Sequence, residues 1–216
     1  MISNLNPFYI YTADEILYLK KLNQQPKKIA INIKFYCANI DSKNRFHICA
    51  IDNKGKMIHL TYINNKWQKH TVGKFFESTR HIKEIRLFII NNYFNVFVVQ
   101  QNQISNNLYR VNHFNFSPSN YRVYKHQFNS IQKNDESIYK LVIDDLSNII
   151  FSYYENHLDG LDSSKVVMLF NSVSRNWIPF NHANTLNEDF FTPTSSSSNL
   201  EHDVFDFLYS IKYHLK

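Results

Sequence analysis

Phe46-His47-Ile48-Cys49-Ala50-Ile51, then Asp52-Asn53-Lys54-Gly55, then Met57-Ile58-His59-Leu60-Thr61-Tyr62, then Asn64-Asn65, then Lys66-Trp67-Gln68-Lys69-His70-Thr71-Val72: this stretch decides the fold class. Apolar runs rich in β-branched and aromatic residues are separated by short Asp/Asn clusters, the pattern of antiparallel strands joined by tight turns. The same grammar extends in both directions. Upstream, Phe8–Thr12 crosses Ala13-Asp14-Glu15 into Ile16–Leu19. Downstream, Ile85–Ile90 crosses Asn91-Asn92 into Phe94–Val99, followed by Leu108–Phe114. Tyr139–Ile143 crosses Asp144-Asp145 into Ile149–Tyr154, with Val166–Phe170 and Asn176-Trp177 beyond. Asn and Asp take the turn positions because they tolerate left-handed backbone better than other residues that carry a side chain. The chain reads as all-β.

The runs also repeat. Their first strands are centred on Ile10, Ile48, Ile90 and Ile143, with steps of 38, 42 and 53 residues. Periods of roughly 40–50 residues with several strands per unit belong to propeller blades. The unit Ile51–Tyr62 followed by Asn64-Asn65-Lys66-Trp67 resembles a blade of bacterial β-propeller repeat proteins, sialidase-like and lectin-like ones among them. The resemblance implies a propeller of about four to five blades over residues 1–190, whole or closed by a second copy. It transfers no active site, because the spacing from Asp52 to Gly55 departs from the Asp-box of sialidase blades.

Composition limits the function classes. Among 216 residues there are 24 Lys+Arg, 18 Asp+Glu, 34 aromatic Phe, Tyr and Trp, and only 3 Gly. So few glycines leave no phosphate loop, dinucleotide fingerprint or nucleophile elbow. The abundance of Asn, Ile, Lys, Phe and Tyr is what AT-rich bacterial coding supplies. Residues 1–133 carry 19 Lys+Arg against 6 Asp+Glu, and residues 134–216 carry 5 against 12. Basic residues scattered singly along strands favour mutual complementation of the two halves over a nucleic-acid groove. The first residues lack a basic leader region, and no apolar run approaches the ~20 residues of a membrane-spanning helix. A cytoplasmic protein without membrane attachment is expected. Cys37 and Cys49 sit in neither a CxxC nor another metal spacing, so two reduced, buried thiols are expected, although paired antiparallel strands could bring them close enough for a disulfide.

Candidate chemistry is sparse. His47, His59 and His70 fall on three successive strands and would make a metal site only if the register turned them towards one point; solvated histidines are the preferred reading, and no metal or cofactor is expected. Asp144, Asp145, Glu155, Asp159 and Asp162 form the densest acidic region, which turn chemistry explains without a catalytic pair. Trp67, Trp177, Tyr62 and Tyr154 are the ligand-binding candidates, as stacking platforms for a glycan, against a core-packing role for the same rings. Residues 191–198 read as a Ser-rich linker. Residues 199–216 read as an amphipathic helix with Val204, Leu208, Ile211 and Leu215 on one seam, available for oligomerisation. The expectation is therefore a non-enzymatic scaffold that self-associates or holds a protein partner. A lectin-like sugar binder or diverged glycosidase stands second, and a polyanion binder third.

Overall fold

The computed structural model describes residues 8–180 apart from 22, 65, 134–136 and 157–162. Fifteen strands account for its regular structure, so the chain is all-β. Among the described residues no helix is long and apolar enough to cross a membrane. Two compact units divide the chain. Among the described residues, unit 1 takes those up to Arg80 together with Ile85–Ile89, and unit 2 takes His81–Glu84 and those from Ile90 onward.

In unit 1, β1 (Phe8–Ala13), β2 (Ile16–Lys21) and β3 (Lys27–Ile31) form a three-stranded sheet. A four-stranded meander follows, made of β4 (Ile33–Ile40), β5 (Phe46–Asp52), β6 (Lys56–Ile63) and β7 (Lys66–Lys74). The two sheets share one core. Leu17 and Ala30 of the first pack against Ile33, Ile48, Ala50, Ile58 and Leu60 of the second. Tyr36 Oη–H donates to the Ile10 carbonyl at 2.9 Å and ties the sheets further.

The eight-stranded sheet comprises β8 (Ile82–Ile90), β9 (Tyr93–Gln101), β10 (Leu108–Phe116), β11 (Tyr124–Gln132), β12 (Tyr139–Ile143), β13 (Ile149–Asn156), β14 (Ser163–Asn171) and β15 (Asn176–Pro179). One edge of β13 is shared. Ile149–Tyr153 pair with β12, while Tyr154 and Glu155 pair with Gln132 and Ile131 of β11. This shared edge corrects the propeller expectation. It joins two successive four-stranded meanders into one open sheet, where blades would require separate sheets. Among the described residues the result is three sheets of three, four and eight strands, none closed and none arranged as a propeller. The linker at 191–198 and the helix at 199–216 lie outside the described residues.

The turns explain how so few glycines suffice. Asp14-Glu15 (φ 51° and 60°) and Asn91-Asn92 (φ 50° and 63°) make two-residue hairpin turns with both residues left-handed. A second device appears three times. Oδ1 of Asp41 accepts from the N–H groups of Lys43 and Arg45, that of Asp52 from Lys54 and Lys56, and that of Asp144 from Leu146 and Asn148, all at 2.7–3.0 Å. The residue three places after each aspartate is left-handed: Asn44, Gly55 and Ser147. The carboxylate thus replaces the hydrogen bonds that the chain loses while it reverses.

Candidate functional site

The histidines of unit 1 meet, though not around a common point. Asp41 ends β4's hairpin, and its Oδ2 accepts from Arg45 Nε at 2.7 Å and from His47 Nε2 at 3.2 Å. Because His47 donates through Nε2 to a carboxylate, its Nδ1 is left to accept, and His59 Nε2–H fills it at 3.0 Å. The two rings also stack, with centroids 5.2 Å apart. Asp41, His47 and His59 are all buried. Burial opposes ionisation of Asp41, but the backbone and side-chain N–H groups of Arg45, with His47 and Lys43, outweigh it and hold the carboxyl below its usual range. Burial lowers His47 against the pull of Asp41, and it pushes His59 down to about 3. The relay is a neutral imidazole pair anchored on a carboxylate, closed to any substrate.

Register places a further row on the same sheet face. Cys37, Cys49, His59 and His70 stand opposite one another across β4, β5, β6 and β7. Sequence spacing concealed this row, because only the pairing register aligns it. A flat row over four strands spans about 14 Å, at ~4.8 Å per strand, whereas metal bonds are about 2 Å. Among the described residues no three ligating groups surround a point. Neither thiol is in a disulfide; Cys49 is buried and pushed up by that burial, and Cys37 Sγ–H reaches the Cys49 carbonyl at 3.5 Å.

Outermost in this sheet lies β7, whose strand neighbour is β6 alone among the described residues. Lys66, Gln68, Lys69, His70, Thr71 and Lys74 are exposed along it. Trp67 is half-buried, tilted against Tyr62 at 5.2 Å and edge-on to Phe46 at 6.0 Å, so this candidate pair rims the unit 1 core.

Trp177, also half-buried, has different neighbours. Its ring lies 5.1–5.8 Å from those of Phe128, Phe151 and Phe170, against the aromatic core of unit 2. Its Nε1–H donates to Nδ1 of the fully buried His113 at 3.0 Å. That fixes the tautomer: Nε2 of His113 carries the proton and donates to Asn95 Oδ1 at 3.0 Å. Burial, with His126 adding to it, keeps His113 well below its usual pKa. Tyr154 is half-exposed on β13, opposite Gln132 and Lys165. Asp144 is committed to its turn, where Oδ2 also takes Asn148 Nδ2–H at 3.0 Å. Asp159, Asp162, Val204, Leu208, Ile211 and Leu215 lie outside the described residues.

These histidines make stability fall with acid. A histidine lowered in the folded chain binds its proton more readily when unfolded, so stability is complete above the ordinary value near 6.5 and declines as pH falls towards the folded value. For His59 the window runs from about 6.5 down to about 3, and His113 shifts in the same direction. Urea unfolding between pH 7 and 4.5 is expected to lose about 1.4 kcal/mol per pH unit for each such proton. A flat profile would remove the neutral relay.

The chain matches no protein-family model and no curated protein.

Proposed function

We propose that this chain is a non-enzymatic interaction module that self-associates, the basic outer strand β7 of one copy receiving the acidic second half of another. The observation that carries this reading is β7 itself. It is nine residues long, outermost in its sheet, and exposes Lys66, Lys69 and Lys74. Residues 134–216, with 12 Asp+Glu against 5 Lys+Arg, supply the complementary charge. Lysines on an edge strand oppose pairing of two identical edges. Two unlike surfaces are thereby favoured, and the contact runs head to tail. The histidines support the non-enzymatic part, since both ring nitrogens of His47 and of His113 are engaged within the protein.

Sedimentation of the full chain tests the proposal. Association is expected at low salt and is weakened as salt screens the charges. The triple variant Lys66→Glu, Lys69→Glu, Lys74→Glu should weaken it at least tenfold, while a chain ending at residue 198 should keep it. A monomer at every salt concentration, or association indifferent to the triple variant, overturns the reading.

A further inference from the structure

Leu17 and Ala30 turn one face of the β1–β3 sheet into the core of unit 1, and Ile10 packs against it. Alternation therefore gathers Tyr9, Tyr11, Tyr18, Lys20 and Lys28 on the other face. Register sets them in two rows. Tyr11, Tyr18 and Lys28 stand opposite one another across the three strands, and Tyr9 stands opposite Lys20 in the next row. Along the sequence these residues are scattered singly, and only strand pairing collects them.

The rings of Tyr11 and Tyr18 stack across the strands, with centroids 5.4 Å apart. Tyr9, Tyr11 and Tyr18 are half-buried, and their hydroxyls make no hydrogen bond among the described residues. Lys20 and Lys28 are exposed, as are Lys21 and Lys27 where β2 ends and β3 begins. None of these four lysines has a carboxylate partner among the described residues. The acidic residues of β1–β3, Asp14 and Glu15, sit at the hairpin turn, where Glu15 pairs with Lys34.

Lysines without counter-charge beside a stacked aromatic pair match one ligand chemistry. Bases of a single strand stack on aromatic rings, and lysine neutralises the phosphates that join them. A duplex keeps its bases stacked on one another and has none to offer the rings. An acidic peptide would answer the lysines and leave the rings unused.

We propose that this face of the β1–β3 sheet binds single-stranded nucleic acid, with bases on Tyr11 and Tyr18 and phosphates on Lys20 and Lys28. The face belongs to a different sheet from β7, so the proposal is independent of self-association.

Fluorescence anisotropy of the full chain with labelled single strands of about ten nucleotides, one RNA and one DNA, tests it. At least one strand should bind, and more tightly than the duplex of the same sequence. Polyglutamate at equal charge should displace it poorly. The double variant Lys20→Ala, Lys28→Ala should weaken binding and make the slope of log affinity against log salt shallower by about 1.4. Tyr11→Leu and Tyr18→Leu should each weaken it about tenfold at unchanged slope, while Tyr18→Phe keeps the ring and should bind like the wild type. The triple lysine variant of β7 should also bind like the wild type. No binding of either strand at low salt, a duplex held as tightly, equal displacement by polyglutamate, or loss of binding in the β7 variant overturns the proposal.

Discussion

Trp177→Ala is expected to destabilise unit 2 by about 3 kcal/mol, measured as a loss in urea midpoint followed by circular dichroism. Two terms combine. The indole fills space among Phe97, Phe128, Phe151 and Phe170, and its removal leaves a cavity between rings that cannot all collapse inward. Its N–H is also the donor that His113 Nδ1 depends on. Trp177→Phe separates the terms. It retains most of the ring volume and orphans the buried imidazole nitrogen, at a cost of about 1–3 kcal/mol. Were the indole instead a surface platform for a ligand, the alanine variant would unfold at the wild-type midpoint, and that result would refute the core assignment.

Gly55→Ala should be as damaging, in unit 1. Gly55 sits at φ 75°, where a side chain costs about 1–2 kcal/mol. A Cβ there would also press into the backbone carbonyl of Phe76. That segment cannot retreat, because the N–H groups of Phe75 and Phe76 both donate to the Gly55 carbonyl at 3.1 and 3.3 Å. A total loss of about 3 kcal/mol is expected. Gly73→Ala is the internal control. Its Cβ would meet the far end of the Phe75 ring, which can rotate away, and Gly73 lies within β7. A change below about 1 kcal/mol is expected there. Equal losses in the two variants would contradict the assigned backbone.

The strand grammar of the sequence is reproduced where apolar runs meet Asp/Asn turns, as from Phe46 to Lys74. Three strands were not legible. Between β3 and β4 the chain passes from one sheet to the next at the single residue Asn32 (φ 61°), and no turn cluster interrupts the run from Lys27 to Ile40. In β11, Lys125, Gln127, Asn129 and Ser130 are exposed, and Ser130 (φ 54°) lies near a register shift against Tyr109 and Val111, so the alternation reads as polar loop. The propeller failed for a related reason. A repeat period reports which strands are alike, whereas the pairing of Tyr154 and Glu155 with β11 is a contact between repeats that no period encodes. The site followed the same rule. His47 and His59 were legible as histidines on neighbouring strands, whereas nothing in the sequence singles out Asp41 or Asn95 as the partners of buried imidazoles.

The chain's two indoles, Trp67 and Trp177, fall one in each compact unit. The molecule therefore carries an intrinsic fluorophore for either half. A protein that keeps only Trp67 emits from the first half, one that keeps only Trp177 emits from the second, and the order in which the halves melt can be followed without attaching a dye.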